Sequence, residues 1–193
     1  TVPLWSASNL LAARPWTHRL IVTADGNSGA ATGMGFPLGN LGGTVNPDPG
    51  RFSNDSVISY LRGNRAGEGS TFRTRAGLLG AAINAEPVVD AASGLVYLAS
   101  GEGMLHAIST STGQEQWAFV PNGVLASIGS TVQRGYVFKT QLDATPTLGR
   151  YTDGGAKLLV GGLGAAGRSF YALDVSAPNV LTEADAAAQV KWT

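Results

Sequence analysis

The motif with the most recognisable chemistry is Gly162–Gly167, which reads GLGAAG and fits the pattern GxGxxG. In a dinucleotide-binding fold, such glycines let the backbone approach a pyrophosphate at the N-terminus of a helix. Here the following residues, 168–175, are typical of a strand, and the next acidic residues, Glu183 and Asp185, lie in an alanine-rich stretch. We therefore predict that the motif is a long hairpin loop between two strands of one sheet.

A serine nucleophile is a second candidate chemistry. Residues 26–29 read GNSG, but the pattern Gly-x-Ser-x-Gly would need a glycine where the chain has Ala30. The two candidate bases are His18 and His106. His106 takes the same position in an internal repeat as Tyr171, which favours a packed, aromatic-like residue, and His18 is predicted at the surface or between sheets. The pattern argues against a catalytic triad.

The acidic residues show no pairing typical of acid–base catalysis. Asp143 and Asp174 stand at predicted strand ends, and Asp90 and Asp153 stand in predicted turns. The oxygens of such aspartates commonly accept backbone N–H groups in turns. An alternating Asp/Asn loop of the EF-hand kind does not occur in the sequence. The sequence therefore predicts no catalytic residue and no metal ligand.

Residues Arg62, Gly63 and Asn64 differ by one residue from the integrin-binding tripeptide arginine–glycine–aspartate. That tripeptide needs a carboxylate to bind the metal ion of its receptor, and the side chain of Asn64 is a neutral amide. We predict a polar turn that follows the apolar residues 57–61.

Composition excludes several classes of protein. The 193 residues include no cysteine, which excludes a disulfide scaffold, a thiolate zinc site and a cysteine nucleophile. The formal net charge is +0 and only 13% of residues are charged, so nothing favours nucleic acid or an anionic membrane as a partner. No apolar run approaches the roughly 18 residues that span a membrane. Because the chain begins with Thr1 and carries no signal peptide, we expect an excised piece or a processed product.

Short β-rich runs separated by Gly, Asp, Ser and Thr dominate the pattern. The predicted strands are 19–23, 87–89, 95–99, 105–108, 115–120, 145–148, 157–160 and 170–175. Helical spacing is limited to Leu181–Val190, with Thr182 as its N-cap, and to a turn at 9–13. Residues 26–43 are predicted to form a long, Gly-rich, mobile loop.

A repeat occupies the second half of the chain. Each copy predicts four short strands, and the offset between copies grows only at the turns, as expected if strands are constant and loops vary. The aligned pairs are 86–89 with 145–148 (offset 59), 96–98 with 158–160 (offset 62), 106–109 with 171–174 (offset 65), and Trp117 with Trp192 (offset 75).

Four sequential antiparallel strands form the blade of a β-propeller. A blade needs neighbours on both faces, and Ala107, Ala172, Trp117 and Trp192 suit the space between blades. We predict an all-β fold of two to three propeller-type blades, of which the repeat supplies two and a third candidate begins at 19–23. A closed propeller needs roughly four to eight blades, so we predict an incomplete propeller. Either the remaining blades are absent from this chain, or the piece packs against itself or a partner. The predicted blade-like units of this single domain are about 1–80, 81–140 and 141–193.

The first repeat resembles the repeat of pyrroloquinoline-quinone-type (PQQ-type) propellers. The resemblance lies in residues 95–107, in Thr112 and Gly113, and in Trp117. Those repeats usually read A-x-D-x-x-T-G-x-x-x-W. Ser109 replaces the usual aspartate of that pattern, whereas Asp174 keeps it in the second repeat.

A narrower resemblance covers nearly the whole chain outside the Gly-rich loop. Several motifs in a fixed order resemble the C-terminal propeller of the PilC/PilY family of type IV pilus tip adhesins and assembly factors. The motifs lie at 4–5, 60–63, 73–75, 79–88, 101–107, 143–147 and 159–175. The blade signature predicted from both resemblances is Pro87, Gly101, Gly103, His106, Ala107, Gly113, Trp117, Asp143, Pro146, Gly162, Gly164, Gly167, Asp174 and Trp192.

The resemblance implies a non-enzymatic module for type IV pilus biogenesis and adhesion, exported to the periplasm and outer surface and placed at the pilus tip. Minor pilins or other pilus components, and a host surface protein or glycan, are the partners it implies. Some family members bind calcium through an Asp-rich loop, which this sequence lacks, so we expect no cofactor in this chain. The alternative is part of a PQQ-dependent dehydrogenase, although many such enzymes carry a vicinal cysteine pair.

Overall fold

The computed structural model describes residues 3–24, 33–35 and 54–193. Ten strands and four α-helices lie in these ranges. The strands are β1 (Ile21–Ala24), β2 (Gly33–Gly35), β3 (Val88–Asp90), β4 (Leu95–Ser100), β5 (Met104–Ser109), β6 (Glu115–Phe119), β7 (Thr147–Arg150), β8 (Lys157–Gly162), β9 (Phe170–Asp174) and β10 (Val190–Trp192). The helices are α1 (Ala7–Ala13), α2 (Asn54–Arg62), α3 (Leu125–Ile128) and α4 (Glu183–Ala188).

The strands form two sheets. The second sheet has the order β10-β9-β8-β7 and is antiparallel throughout. The first has the order β2-β1-β6-β5-β4-β3, in which β3 to β6 are antiparallel and β1 is parallel to β6. The two predicted units of four sequential antiparallel strands are therefore confirmed. The predicted all-β class is confirmed in part, because the described residues are mostly β but also form four α-helices. The described residues form no closed barrel.

The two predicted helical segments are also confirmed. Thr182 caps α4 through a capping box with Asp185, because each side chain binds the backbone N–H of the other residue. The N-cap of α1 is Ser6, whose side chain accepts the backbone N–H of Asn9. No helix in the described ranges has the length and apolar character that crossing a membrane requires.

Three local features differ from the sequence-based expectation. The apolar residues 57–61 belong to α2, because Val57, Ile58 and Leu61 bury one side of a helix. β1, predicted to begin a third blade, instead pairs with β6 in the first sheet. The Gly-rich stretch contains β2, which pairs with β1, while residues 25–32 and 36–53 lie outside the described residues. The division into three units stays a prediction.

The strand register refines the repeat. One row across the first sheet joins four residues, and an equivalent row crosses the second sheet. The rows are Val88–Tyr97–Ala107–Trp117 and Thr147–Val160–Ala172–Trp192. Tyr97 is thus equivalent to Val160, an offset of 63, and the predicted offset of 62 for this strand is wrong by one residue. Runs that are apolar on both faces lack the alternation that would define the register.

The two sheets stack face to face, and the equivalent strands of the two repeats follow each other in the same order across each sheet. The first sheet turns Phe119 towards the second, where its ring lies 5.4 Å from that of Tyr171. Lys157 Nζ of β8 lies 2.7 Å from Asp90 Oδ2 of β3. The opposite face of the first sheet carries His106 and is covered by the N-terminal segment and the end of α2.

Candidate functional site

A network of buried charges lies on the covered face of the first sheet, with His106 at its centre. The imidazole is fully buried. Its Nδ1 lies 2.9 Å from Glu115 Oε2, and its Nε2 lies 2.8 Å from Glu102 Oε1 and 3.0 Å from Ser100 Oγ. Both ring nitrogens therefore face carboxylates, which favours the doubly protonated, cationic imidazole.

Arg19 completes the network from outside the sheet. Its Nε and Nη2 donate to the two carboxylate oxygens of Glu115 at 2.9 and 2.8 Å, a bidentate pair with both side chains buried. Its Nη1 donates to the backbone carbonyl of Arg62 at 2.8 Å. Arg62, the last residue of α2, forms a 2.7 Å ion pair with Glu183 of α4. The network thus ties three separate segments of the chain to one sheet.

Local structure explains how these side chains meet. Successive side chains of a strand alternate between its faces, which places His106 on the face opposite Ala107. An irregularity in the β5–β6 register sets Ile108 opposite Glu115 and Ala107 opposite Trp117. This extra residue turns Glu115 towards His106. Glu102 comes from the β4–β5 turn, and a Cβ added at Gly80 would lie 1.6 Å from its Oε2, so only glycine fits there.

The network shifts the pKa values of its members. Burial alone would lower the pKa of His106, but the hydrogen bonds and charges of Glu102 and Glu115 outweigh burial and raise it to about 9. Burial would raise the pKa of Glu115, but Arg19 and His106 hold it far below its usual range. The pKa of Glu102 is also lowered, by its bond to His106 against the opposing effect of burial. All three groups are therefore charged near neutral pH.

We expect the stability of this protein to fall as pH rises from about 6.5, the usual pKa of an unfolded histidine, through the folded value of about 9. A group whose pKa is higher in the folded state than in the unfolded state stabilises the fold fully at pH values below the unfolded pKa. This stabilisation is lost as the pH rises from the unfolded pKa through the folded pKa. The lowered pKa values of Glu102 and Glu115 act at the acid end, where stability is lost as the pH falls below their unfolded pKa. Melting temperatures recorded from below the usual pKa of a glutamate to above the folded pKa of His106 measure both effects.

The variant His106→Gln is the control for the alkaline limb. It keeps a polar side chain but cannot titrate, so its melting temperature should lack the decline assigned to the imidazole. If this variant and the parent protein decline alike with rising pH, the stabilising charge does not reside on His106.

The chemistry of the network is structural. At its centre the cations Arg19 and His106 face the carboxylates of Glu102 and Glu115. The side chains of Arg19, His106 and Glu115 are buried from solvent. Such an arrangement cannot meet a substrate, but it holds the N-terminal segment and α2 against the sheet. Sequence reasoning missed it because its members come from distant segments. The available signals were Glu115 at the start of a strand that ends in the apolar residues 117–119, and His106 in the middle of a buried strand.

The second sheet has an open face, defined here as the side that carries Thr147, Val160, Ala172 and Trp192. Trp192 is 44% exposed, whereas its repeat equivalent Trp117 is 1% exposed. Leu158 and Val160 of this face are half-buried and Phe170 is exposed. The small residue Ala172, which lies between the larger side chains of Val160 and Trp192 in the row, is itself buried. A cleft of roughly 360 Å³ crosses its loop end, between Thr145 and Phe170. The equivalent face of the first sheet is the one against which the second sheet packs.

Equivalent positions of the two repeats also bind each other directly. The backbone N–H of Asn84 donates to Asp143 Oδ1 at 3.1 Å, and the backbone N–H of Glu86 donates to Thr145 Oγ1 at 2.8 Å. Each pair is separated by 59 residues, the offset of the first strand. The second repeat therefore uses its own Asp and Thr side chains to hold the corresponding backbone of the first.

The predicted blade signature is spread over both sheets and does not converge on one site. Eight of its residues are buried, namely Gly101, Gly103, His106, Ala107, Gly113, Trp117, Asp143 and Pro146. Six are half-buried or exposed, namely Pro87, Gly162, Gly164, Gly167, Asp174 and Trp192. The prediction that His106 packs as an aromatic-like residue is correct in its burial but missed its ionic partners. His18 is exposed, in agreement with a surface position.

The other predicted motifs have simple structural roles. Residues 162–167 join the antiparallel strands β8 and β9, which confirms a hairpin loop and excludes a dinucleotide-binding turn. Arg62 is buried and Gly63 forms the turn that ends α2, with φ of 122°. Residues 26–29, the GNSG motif, lie outside the described residues. In the described part of the chain, no three His, Asp or Glu side chains form a metal-binding group.

Comparison with known proteins identifies the family. The chain is 33% identical to a type IV pilus biogenesis factor PilY1 homolog of Xylella fastidiosa over 83% of its length, and 31% identical to the type IV pilus biogenesis factor PilY1 of Pseudomonas aeruginosa strain PAK over 91%. This chain is a PilY1/PilC-family region. The matched segments are 14% and 19% of the length of those two relatives, so this PilY1-type region spans less than a fifth of either. No protein-family profile and no solved structure matches it.

Proposed function

We propose that this PilY1-type region is a non-enzymatic binding and assembly module of a type IV pilus biogenesis protein, exported to the periplasm and outer surface and acting at the pilus tip. The family supports the pilus role, since the relatives are named as type IV pilus biogenesis factors. The buried ionic side chains support a structural use of the polar core, because they bind each other and not a reacting group. The proposal includes no cofactor for this region.

The observation that carries the proposal is the open face of the second sheet. The first copy of the repeat buries Trp117, whereas the second copy exposes the equivalent Trp192. Because stacked repeats bury their faces against neighbouring repeats, we expect a further repeat to follow the second. We propose that a further four-stranded sheet covers the open face in the complete protein, as in a β-propeller. The loops at the ends of the stacked sheets then present the contact surface for minor pilins or other pilus components, and for a host surface protein or glycan.

Piliation of living cells tests this proposal. In a strain that lacks its own PilY1-type gene, the complete protein with Trp192→Asp and Val160→Asp is expected to restore few or no surface pili, because charges on the open face prevent a sheet from stacking there. The control is Tyr151→Asp, which places a charge at an exposed aromatic residue of the β7–β8 turn, outside the open face. Restoration of pili by the open-face variant to the level of the control would contradict the proposal.

A further inference from the structure

The loop between α3 and β7 presents two adjacent apolar side chains to solvent. Val137 is 83% exposed and Phe138 is 55% exposed. Ile83, from the segment before β3, is 55% exposed. Phe138 rests on the β4–β5 turn, because a Cβ added at Gly101 would lie 3.0 Å from its Cζ, and Gly101 binds the carbonyl of Ala81 through its backbone N–H. We call Ile83, Val137 and Phe138 the apolar tip.

The loop that carries the tip is held in one conformation. The hydroxyl of Tyr136 donates to the carbonyl of Lys139 at 2.6 Å and accepts the backbone N–H of Lys139 at 2.8 Å. These two bonds close a turn around Val137 and Phe138. The guanidinium of Arg73 lies 5.2 Å from the centroid of the Tyr136 ring, which ties the turn to the segment after α2. A loop held in one conformation before binding loses little conformational entropy when it binds a partner.

Positive charge surrounds the tip. Arg134 and Lys139 precede and follow Val137 and Phe138 in the sequence and are exposed, and Arg73 contacts the ring of Tyr136 in the same loop. Within the described part of the chain, none of these three cations forms an ion pair. The nearest carboxylate of the adjoining turn, that of Glu102, is engaged by His106. The local charge is therefore positive although the whole chain is neutral.

We propose that the apolar tip is a protein-docking site whose partner presents an apolar surface flanked by carboxylates. Aromatic anchors that enter a pocket, surrounded by a charged rim, are the usual source of affinity and specificity at protein interfaces. A membrane is the less favoured partner, because even a myristoyl chain gives only marginal membrane binding and three side chains bury far less. The choice of pilins as the protein probe rests on the proposed function, but the chemistry of the site does not.

Binding measurements with two probes test the docking site. The first probe is the set of purified soluble domains of the minor pilins from the same organism, and the second is a set of synthetic peptides with one leucine or phenylalanine between acidic residues. The variant Val137→Ser/Phe138→Ser is expected to bind the responding probe more than about tenfold more weakly than the parent chain. Lys139→Glu should weaken binding and reduce its dependence on salt. Tyr151→Ser, a matched exposed aromatic outside the tip, should bind normally.

The two probes separate failure of the docking site from failure of the pilus function. If pilins bind the parent chain and the tip variants equally, the docking site is wrong and the pilus role stands. If only the acidic peptides bind, and do so through the tip, the docking site stands and pilins are not its partners. Binding of phosphatidylglycerol-containing vesicles without binding of either protein probe would overturn the proposal, as would the absence of all binding.

Discussion

Replacement of Glu115 by glutamine is expected to lower the free energy of unfolding by about 3–5 kcal/mol, the usual effect of removing one partner of a buried ion pair. The amide keeps the shape of the side chain but removes the charge that faces both Arg19 and His106. His106 then keeps only the carboxylate of Glu102, and Arg19 loses the carboxylate that it binds. Urea denaturation of the parent chain and of the variant measures the loss.

The exposed pair Lys191–Asp174 provides the control for this experiment. Its atoms lie 3.4 Å apart and the lysine is nearly half exposed, so Lys191→Met should change the free energy of unfolding by less than about 1 kcal/mol. A second test is the double variant Arg19→Met/Glu115→Leu, which removes both charges and should destabilise less than the two single changes added together. A loss below about 1 kcal/mol for Glu115→Gln would show that the buried network does not hold the N-terminal segment.

The repeat provides a second large prediction with its own internal control. Trp117→Ala is expected to lower the free energy of unfolding by about 3–5 kcal/mol, because it empties a fully buried position between the two sheets. Trp192→Ala, at the equivalent position of the second repeat, should change it by less than about 1 kcal/mol, because that ring lies on the open face. Thermal or urea denaturation of both variants measures the difference.

Similar losses for the two tryptophan variants would contradict the assignment of the open face, since they would show that both rings are packed in the chain by itself. The same comparison in the complete protein has a different expected result. If a further sheet covers the open face there, Trp192→Ala should become nearly as destabilising as Trp117→Ala. An unchanged, small effect of Trp192→Ala in the complete protein would count against a continuing stack.

Much of the fold could be predicted from local sequence because its elements depend on short-range interactions. All eight predicted strands correspond to observed ones, and Thr182 caps a helix as expected. Strand signals of this kind come from β-branched and aromatic residues bounded by turn residues, and they need no distant partner. The helix α2 was not predicted because its buried residues Val57, Ile58, Tyr60 and Leu61 form a short, largely apolar run, which fits either a helix or a strand.

The buried network could not be predicted in the same way. Arg19 and Glu115 are 96 residues apart, and nothing in the sequence near either one indicates that they meet. Their contact depends on β1 joining the first sheet beside β6 and on an irregular register that turns Glu115 inwards. The pairing of β1 with β6 and the irregular register both depend on the packing of the whole sheet. Burial of the Glu115 charge is energetically favourable only when its partner is buried beside it.

The sequence by itself determined the repeat, the four-stranded unit and the resemblance to the pilus family, because each of these depends only on residue types at nearly constant spacing. The tertiary structure alone decided which face of each sheet is covered, and hence why Trp117 is buried and Trp192 is exposed. The two tryptophans hold equivalent positions in the repeat, but β6 lies between β5 and β1 and its outer face is covered by the second sheet, whereas β10 is an edge strand on the open face. Burial therefore depends on the assembled layers and not on a residue's place in the repeat.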